Sequence, residues 1–392
     1  MGKASPERLR EHRRTRFERR QQASRWLIAA AREAEGRDPY VSGVTADHPD
    51  WVRPPAPARC RWRIGETVGV HHEQGTTNAA HFSGTFRCGS VWSCPVCAAV
   101  IRAHRADEIG RAVAAHLENG GGALFVTLTM RHKHADELHD TLDTAMLAWR
   151  KVQTGAPWGR FKDQIGYAGS IRTTEITYGA SGWHPHHHVL LLTDRPMTKD
   201  AAEAAESSLS ALWIRRVVAL GGRTPTRAHG VRVEAVDGQG QVLAQYLAKV
   251  QEHQSERRTD IGKELARGDL KTGKAGSLMP FELLDDESGS PVPQRLWSEY
   301  YAATYGRRAF SWSRGLRDRL LPAEDELTDD EVLDEAEKSP IVFHIAGRAY
   351  DRLKNQAAML ALVLDLTERG QVELAKTVAA GAFLDEQHPK TG

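Results

Sequence analysis

Hydrophobic residues recur with two different periods between residues 119 and 255. Short apolar runs rich in β-branched residues indicate buried strands, and longer segments with apolar residues three and four apart indicate helices. The predicted strands are Ala123–Met130, Tyr167–Tyr178, His186–Thr193 and Gly230–Val236, and the predicted helices are His134–Lys151, Thr198–Leu220 and Gln241–His253.

These seven elements follow one another in the order βαββαβα. The segment Gly179–Gly182 supplies turn residues between the second and third strands, so we expect these strands to form a hairpin. Thr198 is placed to cap the helix that follows them. Strands and helices in this order favour an α+β fold, in which helices pack on one face of a central antiparallel sheet in a ferredoxin-like arrangement.

Changes in composition divide the rest of the chain. Helices are also expected up to about residue 35, over about 98–118, and over 297–320 and 340–385. We expect five parts: a basic arm and proline-rich linker (1–59), a cysteine-rich region (60–118), the βαββαβα core (119–255), a loop with a helical extension (256–320), and an acidic linker with a helical C-terminal region (321–392).

The composition favours a soluble globular protein. Of the 392 residues, 40% are hydrophobic and 27% are charged, and this length suffices for two or three domains that each have a core. No stretch approaches the roughly 18 consecutive apolar residues that a membrane span needs. Arg and Glu crowd the N-terminus, where a signal peptide would be apolar. We therefore expect a cytoplasmic protein without a membrane partner.

The net charge of +2 is unevenly distributed. Residues 1–25 contain nine Lys and Arg and three Glu, whereas residues 323–337 contain nine Asp and Glu and no Lys or Arg. A basic arm can bind a polyanion by contacting phosphates and releasing counterions, which makes Arg13, Arg14 and Arg16 candidate DNA contacts. The alternative is a solvated tail.

All four cysteines lie between residues 60 and 97. In a cytoplasmic chain, clustered cysteines indicate a metal site rather than disulfides. Cys94 and Cys97 have the spacing of a zinc knuckle, Cys88 precedes them, and Cys60 can complete a tetrahedral site for structural Zn²⁺.

Cys60 is the most distant of these ligands along the chain, so His71, His72 or His81 can replace it. Buried thiols without a metal are the other alternative. Because four protein ligands leave no position for a substrate, we expect the site to support folding and to position DNA.

Four histidines occur within residues 184–188. Side chains on a strand alternate between its faces, so His184, His186 and His188 share one face while His187 lies on the other. Two imidazoles at alternate positions of a rigid strand can bind one divalent metal. A chance surface cluster is the alternative.

Glu175 lies opposite His186 if the hairpin is symmetric about its turn. A carboxylate beside the imidazoles of His186 and His188 makes a mixed metal site with open positions for substrate oxygens, for which we expect Mg²⁺ or Mn²⁺. A register slipped by one residue would put Glu175 on the wrong face.

Tyr246 and Lys249 are three residues apart on the last predicted helix, so their side chains are neighbours. A phenol with a pKa of about 10 is a weak nucleophile, but a nearby ammonium and a metal-polarised phosphate make attack easier. The alternative is that Tyr246 is a core residue.

Three other tyrosines, Tyr300, Tyr301 and Tyr305, are rival candidates for the nucleophile, and we expect them to pack within an aromatic helix.

Three motifs occur in order, namely Phe125–Thr129 (FVTLT), His184–His188 (HPHHH) and Tyr246–Lys249 (YLAK). Together they resemble the HUH endonucleases, and specifically the rolling-circle plasmid replication initiators of Gram-positive bacteria. Cys88–Cys97 is similar to the cysteine region of that family. The segments WSEY and WSRGL, which begin at Trp297 and Trp312, resemble the version found in actinobacterial plasmids.

The resemblance covers about residues 85–320 and implies a mechanism. Such enzymes bind a hairpin-forming plasmid origin, nick one strand and become linked to its 5′ phosphate through a tyrosine, here Tyr246. The free 3′ hydroxyl then primes a polymerase. The implied metal ligands are His186, His188 and Glu175, and Lys249 would hold the phosphate or the tyrosine. A host helicase and a DNA polymerase are candidate partners.

One position departs from the family pattern. Some relatives carry a Glu four residues before the tyrosine for a terminating hydrolysis, and this chain has Val242 there; Glu252 and Glu256 are downstream candidates for that role.

Two other functions compete with initiation. One is an HUH transposase or relaxase, although relaxases carry their tyrosine before the histidines. The other is a zinc-containing DNA-binding regulator without catalytic activity.

Overall fold

The computed structural model describes residues 6–38, 51–73, 78–226, 229–236, 277–285, 288–322, 327–335 and 339–381. The chain divides into two compact units. The sheet unit comprises Arg102–Asp286 and Glu299–Glu326, and the cysteine unit comprises Gly2–Ile101, Glu287–Ser298 and Leu327–Gly392.

The sheet unit is built on a six-stranded antiparallel sheet. The path β6-β3-β5-β4-β7 runs across it, and β8 pairs with β4 beside β7. The α+β class and the central antiparallel sheet are therefore confirmed. The strands are β3 (Gly122–Leu128), β4 (Tyr167–Gly179), β5 (Gly182–Thr193), β6 (Val231–Val236), β7 (Ser277–Leu278) and β8 (Phe310–Trp312).

Three helices cover one face of this sheet: α4 (Leu138–Val152), α5 (Gly155–Ile165) and α6 (Lys199–Ala219). Their apolar side chains share a core with alternate residues of β3 and β5. The predicted capping of α6 is confirmed, because the Thr198 hydroxyl accepts a hydrogen bond from the backbone N–H of Ala201.

The pattern did not predict α5. Gly155, Pro157 and Gly159 occur within five residues and indicate a loop. The helix forms because proline is tolerated in a first turn and because Trp158, Phe161 and Ile165 all become buried.

The opposite face of the sheet is also partly covered, by residues 102–118 of α3 (Pro95–Glu118). Ile109 of this helix packs in a core that includes Phe125 and Leu190. The expectation of helices on one face is therefore incomplete. The reason is that Phe125 and Leu124 point to opposite faces and are both buried, so each face needs a cover.

The cysteine unit contains a second antiparallel sheet in the order β2-β1-β9. Its strands are β1 (Thr67–His72), β2 (Ala80–Ser83) and β9 (Ile341–Ala346). The prediction of helix throughout 340–385 is wrong at β9, which pairs with β1 and whose last four residues alternate between buried and exposed positions. An apolar run of six residues is too short for its pattern to distinguish a strand from a helix, and pairing with β1 stabilises this run as a strand.

A long helix and several short ones complete the cysteine unit. The predicted basic helix is confirmed as α1 (Pro6–Ala34), which buries Phe17, Ala23 and Leu27. The short helices wholly inside the unit are α2 (Ala56–Arg59), α9 (Asp329–Glu335), α10 (Gly347–Leu353), α11 (Ala357–Glu368) and α12 (Val372–Ala380).

The predicted helical stretch 297–320 is interrupted. Its described elements are α7 (Pro291–Thr304), strand β8 and α8 (Leu316–Leu320), because Phe310–Trp312 completes the edge of the sheet beside β4. A short 3₁₀ helix spans Pro280–Asp285. The predicted helix Gln241–His253 lies outside the described residues. Within the described part of the chain, no helix is long and apolar enough to cross a membrane.

Candidate metal centres

The predicted register of the β4–β5 hairpin is confirmed. Gly179 pairs with Gly182 across the turn, and Glu175 lies directly opposite His186. His188 is opposite Thr173 on β4 and opposite Thr127 on β3. Because paired residues point to the same face of a sheet, Glu175, His186 and His188 share one face.

These three side chains form a compact group. One carboxylate oxygen of Glu175, Oε2, lies 3.3 Å from His186 Nε2 and 3.1 Å from His188 Nε2. One ligand atom from each residue lies within 4.8 Å of the others. The side chains are 12–14% exposed, so they are held in place while one side remains open to solvent. The geometry suits a single metal ion.

Both imidazoles are oriented by a second hydrogen bond. His186 Nδ1–H donates to the backbone carbonyl of His184 at 3.3 Å, and His188 Nδ1 lies 3.3 Å from the hydroxyl of Thr127. These contacts favour the tautomer with its proton on Nδ1, which leaves Nε2 as the lone-pair donor. Metal-binding histidines ordinarily have such a partner on the other nitrogen, so the residues fit a metal.

Phe125 and Thr127 lie on the same face as the group, and sequence reasoning did not single out either side chain. The ring of Phe125 stacks on His188 with centroids 5.4 Å apart. Both belong to the FVTLT motif and point to this face because they are two residues apart on β3. That spacing is the signal that could have identified them.

His184 shares the face but has a different partner. Its Nδ1 lies 2.7 Å from Nε2 of His132, whose Nδ1–H donates to the carbonyl of Ser181 at 2.9 Å. Burial, with the neighbouring imidazoles of His186 and His132, lowers the pKa of His184 to about 4. At neutral pH this ring is therefore uncharged and helps to tie the hairpin turn to the segment after β3.

His187 points to the opposite face, as predicted, and is fully buried. Its Nδ1 lies 3.0 Å from the hydroxyl of Thr174, which also accepts from the guanidinium of Arg172. Burial lowers the pKa of His187 well below its ordinary value and that of Arg172 to about 10. His187 is a core residue that anchors the histidine strand to the helical layer.

The second candidate centre contains all four cysteines. Cys60 Sγ lies 3.5 Å from Cys94 Sγ and 3.6 Å from Cys97 Sγ, and Cys88 Sγ lies 3.8 Å from Cys97 Sγ. A disulfide would need about 2.05 Å. Sulfurs at about 2.3 Å from a central zinc are about 3.8 Å apart in a tetrahedron. The spacing therefore fits a tetrahedral metal site.

Hydrogen bonds within the cysteine group shape this candidate centre and change the pKa of its thiols. The backbone N–H of Cys97 donates to Cys94 Sγ, as the turn of a knuckle requires. Hydrogen bonds from the neighbouring thiols, Cys88 first, lower the pKa of Cys60, whereas hydrogen bonding with Cys60 raises the pKa of Cys88 and Cys94, so Cys60 is the thiol of this group that is favoured as the thiolate before metal binds. A lower pKa favours the thiolate, which is the form that binds metal.

The three histidines considered as substitutes for Cys60 lie elsewhere in the unit. His71 Nδ1–H donates to the Ser339 carbonyl and its Nε2 accepts from the Ser83 hydroxyl. His72 bonds Asn78, and His81 stacks on His71. Among the described residues, only Cys60 completes the cysteine group.

The candidate DNA contacts of the arm lie on α1. Arg13 makes two hydrogen bonds to the carboxylate of Glu368, at 2.7 and 3.1 Å. Arg14 is exposed and pairs with Glu18 at 2.7 Å, and Arg16 is half-buried. Contact of these arginines with DNA stays a prediction.

The predicted nucleophile Tyr246 and its neighbour Lys249 lie outside the described residues. Of the rival tyrosines, Tyr300 is buried and stacks on Trp183, and burial raises its pKa. Tyr301 packs edge-on against Tyr305. Tyr305 follows the last turn of α7 and is 73% exposed, so it is not buried as the expectation of packing implied, although its ring contacts that of Tyr301.

Comparisons with known proteins agree with the motifs. The family profile described as replication protein matches residues 82–219. "Protein rep" of Streptomyces lividans is 34% identical, over 67% of this chain and 70% of that protein. The "Neomycin resistance protein" of Streptomyces cyanogenus is 36% identical over 32% of this chain and 34% of its own length. No solved structure matches this chain. The match to "Protein rep" covers two thirds of this chain and agrees with the motif resemblance to plasmid replication initiators. The chain therefore belongs to the Rep family of replication proteins.

Proposed function

We propose that this chain initiates rolling-circle replication of a plasmid by nicking one strand of the origin. The observation that carries the proposal is the group of Glu175, His186 and His188, whose ligand atoms lie within 4.8 Å on one face of a sheet. One carboxylate and two imidazoles leave coordination positions for substrate oxygens. Membership of the Rep family supports replication as the process.

Each residue of the group has a role in this proposal. Glu175, His186 and His188 would hold Mg²⁺ or Mn²⁺, which polarises the scissile phosphate when bound. The hydrogen bonds that His186 Nδ1 makes to the His184 carbonyl and His188 Nδ1 makes with the Thr127 hydroxyl keep both Nε2 atoms directed at the same point. A site fixed in advance need not reorganise when the strand binds.

Tyr246 is the proposed nucleophile, on the strength of the YLAK motif. Its phenolic oxygen forms a bond to phosphorus while the bond from phosphorus to the 3′ oxygen breaks. The phenolic proton balances the charge of the released 3′ oxygen, which becomes the hydroxyl that primes a polymerase. Lys249 would hold the phosphate or the tyrosine. The 5′ phosphate stays on the tyrosine, so rejoining needs no ATP.

The proposed substrate is the double-strand origin of a plasmid, with the nick site exposed in a hairpin. A host helicase and a DNA polymerase would act on the product. The four cysteines would hold a structural Zn²⁺, which stabilises the cysteine unit and takes no part in the cleavage.

The decisive experiment is nicking of supercoiled DNA that carries the candidate origin, with Mg²⁺ or Mn²⁺. His186→Ala combined with His188→Ala should lower nicking by more than about a hundredfold, since even groups that only support ligands cost 10- to 100-fold. Tyr246→Phe should abolish the covalent adduct and keep origin binding. His139→Ala removes an imidazole that is 58% exposed on α4 and should nick like wild type.

Two results would contradict the proposal. The first is full nicking by the double histidine variant in chelator. The second is a protein–oligonucleotide adduct whose linked peptide lacks Tyr246, which would remove the assigned nucleophile while leaving the metal site intact.

A further inference from the structure

A cavity of about 430 Å³ lies in the cysteine unit, lined by residues of α1 and of the segments that pack against it. One wall is α1, and the other consists of Trp62 and the turn after α10. A volume of this size falls within the roughly 300–1,000 Å³ that small-ligand sites occupy.

Hydrogen bonds hold the two walls in fixed positions. The buried guanidinium of Arg20 donates to the carbonyl of Cys60 at 3.1 Å and to that of Lys354 at 2.9 Å. The side chain of Gln21 also donates to the Lys354 carbonyl, at 3.2 Å. Ser24 donates to the Ala58 carbonyl at 2.7 Å. A cavity braced in this way loses little conformational freedom when a ligand enters.

The lining combines apolar surface with positive charge. Trp62 and Ile28 are half-exposed and face the cavity, and Arg25 lies exposed at its edge. The ammonium of Lys354 lies 5.8 Å from the centroid of the Trp62 ring. Asp351 pairs with Lys354 at 2.8 Å, but Arg20 and Arg25 keep the surroundings basic.

We propose that this cavity binds one nucleotide, with its base against Trp62 and Ile28 and its phosphate against Arg25 and Lys354. Aromatic rings beside cations are the arrangement by which proteins bind single-stranded nucleic acid, because every base has a face that stacks and every nucleotide carries a phosphate. The nucleotide can belong to a DNA strand or be free. The proposal goes beyond nicking, because none of these residues belongs to the Glu175 group.

The test measures binding of a fluorescein-labelled hexathymidylate by the full chain, using fluorescence anisotropy. Trp62→Ala should weaken binding about tenfold, as expected for loss of one base–aromatic stack. Trp62→Phe keeps a ring and should stay within about threefold of wild type. Arg25→Ala should weaken binding and reduce its salt dependence. The matched control is Arg215→Ala, an exposed arginine on α6 of the sheet unit, which should bind like wild type.

A second measurement locates the bound base. Hexathymidylate with one 5-bromouracil is cross-linked by light, and the linked peptide should contain Trp62 in wild type and in Arg215→Ala. If thymidine monophosphate competes as well as the oligonucleotide, the natural occupant is a free nucleotide; if it competes far more weakly, the occupant is a strand.

Unchanged affinity and salt dependence in Arg25→Ala, with cross-links confined to the sheet unit, would overturn the proposal even if Trp62→Ala fails to fold. Nicking reports separately on the proposed function. At saturating protein, Arg25→Ala should still cleave an oligonucleotide that contains the nick site. The double histidine variant should bind hexathymidylate in the cavity but should not cleave the nick-site oligonucleotide.

Discussion

At the scale of single residues, the hydroxyl groups beside the histidine strand decide how its side chains are held. Thr127 on β3 contacts His188 on the metal face, and Thr174 on β4 contacts His187 on the buried face. Thr173 is also buried, but its hydroxyl has no hydrogen-bond partner among the described residues. These three threonines therefore provide matched tests of orientation and stability.

Thr127→Val removes the hydroxyl that orients His188 and keeps the shape of the side chain. We expect about 10-fold weaker Mn²⁺ binding, the lower end of the range for supporting groups around a metal. Calorimetric titration with Mn²⁺ measures the change. Thr127→Ser keeps the hydroxyl and should bind like wild type; equal affinity for the Val variant would show that the contact does not orient His188.

Thr174→Val leaves the Nδ1 of His187 and part of the Arg172 guanidinium without their shared partner. Because both groups are buried, we expect the free energy of unfolding to fall by about 1–3 kcal/mol. Thr173→Val removes a buried hydroxyl that has no partner, so it should be neutral or stabilising. Urea denaturation compares the two. A larger loss for Thr173→Val than for Thr174→Val would contradict this account.

At the scale of elements, the β4–β5 hairpin forms the Glu175 group. Its two-residue turn places Glu175 opposite His186, and β5 lies between β3 and β4, which hold it on both sides. Gly182 has a φ of +84°, a conformation that side chains with a Cβ rarely adopt. The turn therefore fixes the register from which the metal face follows.

Gly182→Ala should disturb this turn. A Cβ at Gly182 would lie 2.8 Å from the Cα of His134, and the positive φ alone costs roughly 1–2 kcal/mol. We expect lower stability in urea and weaker Mn²⁺ binding together, because Glu175 and His186 depend on one register. Ser181→Ala, at the exposed neighbouring position, should change neither. Full stability of the glycine variant would exclude strain at this turn.

At the scale of the whole molecule, the cysteine unit assembles segments from both ends of the chain. Cys60 reaches Cys94 and Cys97 after α2, and Arg20 of α1 bonds the carbonyl of Cys60. Strand β9, from the C-terminal region, pairs with β1. The cysteine centre thus lies where several segments of this unit meet, so its metal should contribute to folding of the whole unit.

Elemental analysis should find about one zinc per chain. Chelation, or Cys94→Ser, should remove the metal and make residues 60–120 sensitive to protease, because three remaining thiols cannot close a tetrahedral site. Mass spectrometry of the fragments locates the cuts. The part of the sheet unit beyond residue 120 should stay resistant. A zinc-free wild type that is fully folded would contradict a structural role.

The local features of this protein could be predicted from its amino-acid sequence. The alternation of residues 184–188 assigned His186 and His188 to one face, and the turn at Gly179–Gly182 predicted Glu175 opposite His186 for a symmetric hairpin, a register that the structure confirms. Thr198 could be identified as a helix cap in the same way. These features depend on residues close together in the chain, because the alternation of side chains along a strand and the residues of a turn are both read within a short segment.

Features that depend on residues far apart in the chain became visible in the folded protein. Folding brought Cys60, rather than His71, His72 or His81, to the other cysteines, and it stabilised Ile341–Ala346 as a strand beside β1. It also added α3 to the second face of the sheet. The physical reason is that burial and strand pairing between distant segments override weak local preferences, and no short window of sequence contains both partners.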